Sequence, residues 1–268
     1  MTKTGKVYLA IILFLFALSI AAPLLPLPDP DRIDLDSLQL APDARHLFGT
    51  DHKGRDLFSR SIHGARISIS VAIVAALISA CIGSLVGLAA GFCGGKIDAA
   101  LMAVVDFILS FPSLLLAIAV SVVMNPGIHT AMIALSASSW TSFARLVRGQ
   151  VLAVRGLPFV DAARAIGCSS SRVLFVHIAP QCLTVGLVMI GMKLGGFVIA
   201  EATLSFLGLG VQPPAASWGA MISANRAYIL TAPWSVFFPG IMIALTAFCF
   251  NLFAEQLRTR YDVGRIST

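Results

Sequence analysis

The stretch FVDAARAIGCSSSRVLFVHIAP, residues 159–180, separates two long apolar runs and decides how the rest of the chain is interpreted. Helix-forming residues at 161–166 precede Gly167, which predicts a short helix that ends at a glycine. Serines at 169–171 are typical N-terminal caps for a second helix that runs toward Pro180. A short helix with a face of small residues, lying between two membrane spans, is suited to docking against another protein.

The composition calls for a lipid environment around most of the chain. Of its 268 residues, 57% are hydrophobic and 12% are charged, and the mean hydropathy is +0.89. Soluble domains are nearer a quarter charged, and one soluble core cannot hide this much apolar surface. The net charge of +6 does not indicate nucleic acid, because the basic residues lie beside apolar runs, where they orient a membrane protein. The chain is therefore predicted to be an all-α, polytopic membrane protein.

Six apolar runs predict six transmembrane helices, at about residues 7–27, 67–90, 99–124, 130–144, 183–206 and 234–253. Pro112 is expected to kink the third span. A cleaved signal peptide is the alternative for the first run, because Ser19-Ile20-Ala21 offers a small-residue cleavage site, although the apolar run continues past it.

Two units are predicted on this basis. Residues 1–66 would hold the first span, an external polar segment at 28–66 and an amphipathic interfacial helix at 57–66. Residues 67–268 would hold a five-helix core with a loop at 145–180. Small residues at every fourth position of the second span predict that another helix packs closely there. They are Ser79, Gly83, Gly87 and Gly91.

The distribution of lysine and arginine predicts the orientation. Most of the basic residues fall on one side of the six spans, and acidic residues at 28–66 offset the charge of the other side. By the positive-inside rule the first side is the cytosol, so both termini are predicted to be cytosolic. The segments 28–66 and 208–233 would then face outward.

At 161–180 the sequence resembles the coupling loop of binding-protein-dependent ABC-transporter permeases. That family's pattern is Glu-Ala-Ala, three residues, Gly, nine residues, Ile, one residue, Leu-Pro. Here Asp161, Ala162 and Ala163 are followed by Gly167, and Pro180 stands thirteen residues later. The chain departs from the pattern at three positions, which are Asp161 for Glu, His177 for Ile and Ala179 for Leu.

Further blocks resemble the dipeptide, oligopeptide and nickel permeases of that family. They are 48–66 (FGTDHKGRD through GAR), 111–113 (FPS), 144–149 (ARLVRG) and 201–219 (EATLSFLGLG through WG). The resemblance covers roughly residues 45–255. It implies a peptide-importer subunit of the bacterial or archaeal cytoplasmic membrane.

The resemblance also implies the partners. They are a homologous second permease, two ABC ATPases that hold ATP-Mg, and an extracytoplasmic binding protein. This chain would be no enzyme and bind no cofactor itself. Asp161, Ala162, Ala163, Gly167 and Pro180 would couple it to the ATPases, and Ala163→Glu is expected to uncouple transport while insertion stays intact.

Other classes of function remain as alternatives. A nickel or metal-chelate importer of the same family is one, although the histidines, cysteines and methionines show no ligand spacing. A secondary transporter or channel without ATPases, or a membrane scaffold, is more distant. No phosphate-binding loop, nucleophile elbow or HExxH motif is present, so any energy for uphill transport must come from elsewhere.

Three ionisable residues fall inside or at the edge of the predicted spans. Charges are costly in hydrocarbon, so Asp106, Lys193 and Glu201 should face the bundle interior, a pore or a partner. Either they line the translocation path or they are structural. In the structural alternative, Asp106 forms an ion pair with Lys193, or Glu201 lies near the outer surface and anchors the 208–233 segment.

Overall fold

The computed structural model describes residues 3–263, which are mostly helical, with no strand in that range. Residues 1–2 and 264–268, and with them both chain ends, lie outside the described residues. The helices are α1 (Lys3–Ala21), α2 (Leu57–Cys93), α3 (Gly95–Leu109), α4 (Ser113–Val123), α5 (Ile128–Val154), α6 (Pro158–Ala165), α7 (Ser170–Arg172), α8 (Ala179–Phe206), α9 (Trp218–Asn225) and α10 (Trp234–Val263). The predicted all-α fold is confirmed.

Within residues 3–263, three helical rods are long and apolar enough to cross a membrane. They are Leu57–Cys93, Ser170–Phe206 and Trp234–Thr259. The second rod joins α7 to α8 through a π-helical turn, Val173–Ile178. Helix α5 covers the fourth predicted span, but its serines and threonines lower its hydropathy. Since α1 and α5 are not established as spans, the count of six stays a prediction.

The third predicted span is broken rather than kinked. Helix α3 ends at Leu109, α4 begins at Ser113, and the two helices meet at 86°. Pro112 has no amide hydrogen to continue the helical hydrogen bonds, and the residue before a proline disfavours helical torsion angles. The proline therefore turns the chain, and α4 starts as a separate helix.

The first turns of α2 are not a separate interfacial helix. One helix of 37 residues runs from Leu57 to Cys93, so the predicted boundary at residue 66 falls within it. Leu57, Ile62 and Ala65 are buried inside the chain, which leaves no apolar face for a membrane surface. These turns pack beneath the polar segments at 28–56 and 208–233.

The small-residue stripe of α2 packs closely against α5, as predicted. A Cβ atom added at Gly83 would lie 2.4 Å from the Trp140 carbonyl oxygen, and one at Gly87 would lie 2.6 Å from that of Ala144. Both distances are shorter than a van der Waals contact. The two helices therefore approach as closely as glycine allows, which gives the bundle a rigid centre.

Candidate functional site

Helix α6 lies between α5 and the 37-residue rod that contains α8. Pro158 occupies its first turn, where a missing amide hydrogen costs nothing, and Asp161 adds a negative charge near its N-terminus. The helix ends before Gly167, whose φ of +84° lies in the left-handed region that favours glycine. The Ser169 hydroxyl then caps the next helix by accepting from the Arg172 amide. The predicted helix, glycine stop and serine cap are all confirmed.

One face of α6 is buried within the chain. Val160 is fully buried and Ala163 is 5% exposed. They belong to an apolar cluster supplied by α5, the π-helical turn and the start of α8. Its other buried members are Val147, Val151, Val154, Val173, Ile178 and Cys182. This cluster fixes the rotation of α6 about its own axis.

The opposite face of α6 is open. Asp161 and Ala162 are exposed, Ile166 is 82% exposed and Phe159 is 42% exposed. Asp161 forms one weak ion pair with Arg164, at 3.4 Å on the surface of the same helix. The exposed face, defined as Phe159, Asp161, Ala162 and Ile166, thus combines small, apolar and acidic side chains.

Ala163, one of the expected coupling residues, is buried within the chain. Because its side chain points into the chain's own apolar cluster, Ala163 cannot contact a second protein directly. Ala163→Glu would place a charge in that cluster and disturb the loop itself. Ala162 is the alanine of the motif that faces outward.

Pro180 lies in the first turn of α8, directly after the π-helical turn. Before it, the Ala179 amide donates to the Leu174 carbonyl, the five-residue spacing of a π-helix. Since Pro180 has no amide hydrogen, it cannot extend the pattern. Its ring is exposed, and the cluster that holds α6 does not include it.

Arg148 of α5 and Arg155, which directly follows that helix, contact the ends of other helices. The Arg155 guanidinium donates to the Gly91 carbonyl at 2.8 Å, which joins α5 to the end of α2. Arg148 makes two hydrogen bonds to the Asp98 carboxylate of α3, at 2.5 and 2.6 Å. We call the end of the bundle that holds α6, Arg148 and Arg155 the basic end. Neither contact was predicted, because residues 50 to 64 positions apart in the chain show no local pattern.

The opposite end is covered by two polar segments that contact each other. His52 Nδ1 lies 2.9 Å from Asn225 Oδ1, and the Thr231 hydroxyl donates to Gln39 Oε1 at 3.1 Å. We call residues 28–56 together with 208–233 the cap. Within it the His46 amide lowers the pKa of the exposed Asp43 carboxyl by donating to it at 2.6 Å. The contact between these two segments was not predicted, because His52 and Asn225 are 173 residues apart in the chain.

The three ionisable residues expected in or beside the spans lie in different environments. Asp106 pairs with Arg145 and not with Lys193, because α3 lies beside α5, so the suggested pair of Asp106 with Lys193 is wrong. Lys193 donates to the Ser142 hydroxyl at 3.4 Å. Glu201 is fully buried and accepts from the Ser205 hydroxyl at 2.7 Å.

Glu201 lies under the cap. The Ser205 hydroxyl that it binds also accepts from the Val211 amide, so Glu201 orients a residue that anchors the 208–233 segment. This geometry agrees with the structural alternative for Glu201. The three charges do not converge on one site. No three His, Cys, Asp or Glu side chains come together as a metal site in the searched part of the chain.

Comparison with known proteins identifies the family. A family model described as the binding-protein-dependent transport system inner membrane component matches residues 83–263. The chain is 40% identical over 252 residues to the probable D,D-dipeptide transport system permease protein DdpC of Escherichia coli strain K12, covering 94% of this chain and 85% of DdpC. It is 42% identical over 262 residues to the glutathione transport system permease protein GsiD of Shigella flexneri serotype 5b. That match covers 98% of this chain and 85% of GsiD.

The fold agrees with that assignment. An inward-facing form of the MetNI methionine ABC transporter matches with a TM-score of 0.59 and 20% identity, covering 76% of this chain and 97% of that one. At this identity the match shows the fold alone. The resemblance drawn from the motifs is confirmed, and the chain belongs to the binding-protein-dependent family of ABC-importer permeases, which are non-enzymatic, multi-pass subunits of the inner membrane.

Proposed function

We propose that this chain is one of two permease subunits of an ATP-driven importer that carries di- or oligopeptides. Relatives with about 40% identity are named as dipeptide and glutathione permeases, which supports a peptide substrate. Glutathione and dipeptides share amide bonds and free carboxylates. The nickel alternative has no metal cluster among the searched residues to favour it.

The observation that carries the proposal is the division of α6 into two faces. Val160 and Ala163 fix the helix against the chain's own cluster, while Ala162 and Ile166 remain exposed. An exposed isoleucine beside an exposed alanine offers a small apolar surface that a groove on an ATPase could bury. Asp161, Ala162 and Ile166 would contact the ATPase, and Ala163 and Gly167 would hold the helix in position for it.

Movement of the ATPase would reach the membrane helices through packed contacts. The apolar cluster joins α6 to α5 and α8, and Arg155 joins the end of α5 to α2 through Gly91. The close glycine packing of α2 on α5 makes these helices move together. ATP-driven closure of two ATPases would therefore rotate a rigid unit and open the bundle on the other side.

The proposed topology has six spans and both termini in the cytosol. The broken α3–α4 pair counts as one span, and α1 and α5 as two more. The basic end, rich in arginine, would lie in the cytosol, and the cap would face outward toward the binding protein. A homologous second permease would complete the pore, and ATP-Mg would be held by the ATPases alone.

Reconstitution tests the proposal. The importer would be assembled in lipid vesicles from this chain, its second permease, its ATPases and its binding protein. We expect ATP-dependent uptake of a radiolabelled dipeptide, a loss of uptake with Ala162→Glu, and retention with the size-matched Ala162→Ser. Uptake of a nickel chelate in place of the peptide would support the alternative importer, and full uptake without ATPases would overturn the proposal.

A further inference from the structure

A cavity of about 160 Å³ lies between α4, α5 and α8. Its wall mixes apolar side chains with serines from two helices. Lys193 is the one ionisable side chain among the described residues that line it. The lining also includes Ser113, Leu114, Leu135, Ser139 and Phe197.

Lys193 has no acidic partner among the side chains that the structure describes. Its ammonium group donates to the Ser142 hydroxyl at 3.4 Å, a long contact with a neutral group. The two intramembrane carboxylates are already engaged, because Asp106 pairs with Arg145 and Glu201 accepts from Ser205. A half-buried cation within a membrane bundle is costly without a counter-charge, so this geometry leaves room for an anion.

The start of α4 adds positive potential to the same cavity. Ser113 and Leu114 are the first two residues of α4 and line the cavity wall. The preceding residue is Pro112, which offers no side-chain cap, so the first amide groups of α4 have no partner from the capping position. The partial positive charge of a helix N-terminus and the ammonium group of Lys193 therefore favour the same ligand, an anion.

We infer that this cavity binds the C-terminal carboxylate of a peptide in transit, with Lys193 as its counter-charge. A carboxylate is the anionic group that every unmodified peptide carries. The cavity is smaller than the roughly 300–1,000 Å³ typical of pockets that enclose a whole ligand. It therefore takes only the end of the peptide, and the remaining residues of the peptide lie outside it. The cavity therefore selects for the terminal carboxylate of the peptide and tolerates varied side chains along it.

This inference rests on the proposed function, because it takes the substrate to be a peptide. A carboxylate of the second permease subunit has the same chemistry and is the other possible source. The experiment must therefore locate the peptide's C-terminal residue and also follow assembly with the second permease.

Two photoreactive dipeptides distinguish these sources. One carries photo-leucine, a diazirine analogue of leucine, as its C-terminal residue, and the other carries it as the N-terminal residue. Each is irradiated in vesicles that hold the complete importer during ATP turnover, and labelled positions are read by mass spectrometry. Parent chain, Lys193→Met, Lys193→Arg and the neighbouring exposed control Met192→Gln are compared.

We expect the C-terminal probe to label Leu135, Phe197 or Ser139, and the N-terminal probe to label these positions far less. Lys193→Met should abolish this labelling and raise the KM for uptake about tenfold or more, as loss of a charge-assisted hydrogen bond implies. Lys193→Arg and Met192→Gln should keep the labelling of the cavity and the KM of the parent. ATP hydrolysis stimulated by the loaded binding protein should persist in all four.

Other results overturn the inference. If the parent takes up both peptides with ATP but its cavity is unlabelled, or is labelled equally by both probes, Lys193 does not bind the peptide carboxylate. If Lys193→Met loses the second permease while the parent cavity is unlabelled, the counter-charge belongs to that subunit. If the parent takes up no peptide, the proposed function itself fails, which the uptake control shows separately.

Discussion

The guanidinium of Arg155 donates a hydrogen bond of 2.8 Å to the backbone carbonyl of Gly91. The contact joins two residues 64 positions apart and ties the end of α5 to the last turn of α2. The carbonyl groups of the last turn of a helix have no partner within the helix, and an arginine there satisfies one of them. Arg155 therefore bridges the loop that carries α6 and the longest helix of the bundle.

Removing this bridge should uncouple hydrolysis from transport. Arg155→Met keeps the apolar stem but loses the donor, so α2 would no longer follow α5 through this contact. Hydrogen bonds to charged groups contribute about 1.5–3 kcal/mol, so uptake per ATP hydrolysed should fall about tenfold or more. Uptake and phosphate release are measured in the same vesicles. Arg155→Lys should lower the uptake per ATP hydrolysed by less, and Arg172→Met, at an exposed position, should leave it nearly unchanged. If Arg155→Met leaves the uptake per ATP hydrolysed unchanged, the bridge carries no coupling.

Neighbouring alanines of α6 should respond differently to the same substitution. Ala163→Glu puts a carboxylate into the apolar cluster of Val151 and Val160, at a cost of about 3 kcal/mol or more. The melting temperature of the chain in detergent should fall by about 10 °C, at 2–4 °C per kcal/mol for a chain of this size. Ala162→Glu should leave the melting temperature within about 2 °C of the parent. Equal melting temperatures for the two variants would contradict the assigned faces.

The close packing of α2 on α5 should not tolerate a methyl group. Gly83→Ala would bring its Cβ to 2.4 Å from the Trp140 carbonyl oxygen, so the helices must separate, at about 1–3 kcal/mol. Thermal unfolding in detergent measures the loss. Gly186→Ala in α8 is the matched control, because nothing lies within 4 Å of its added Cβ, and the gain in helix propensity should leave stability unchanged or higher. A Gly83→Ala variant as stable as its parent would place α5 farther from α2 than the structure does.

The local features of the 159–180 loop could be predicted because each depends on neighbouring residues. The helix at α6, the stop at Gly167 and the cap at Ser169 follow from propensity and turn chemistry. The stripe at Gly83 and Gly87 was predictable for the same reason, since a four-residue spacing defines one helix face.

Features that depend on distant residues could not be read in this way. Ala163 is buried because Val151 and Val154 of α5 lie against it, and no local pattern distinguishes it from Ala162. The partner of Asp106 is Arg145. This pairing depends on how α3 packs against α5, and the spacing of residues along either helix does not determine it. Periodicity also could not separate a kink from the 86° break at Pro112.

Site-specific photocrosslinking tests the central claim, that the exposed face of α6 is held by the ATPase, most directly. The photoreactive residue p-benzoylphenylalanine replaces Ala162 or Ile166, and Leu230 of the cap, which is 94% exposed, serves as the control. In the assembled importer, irradiation should join this chain to an ATPase subunit from positions 162 and 166 and not from position 230. ATPase adducts from position 230 alone, or none from 162 and 166 in an importer that transports, would contradict the account.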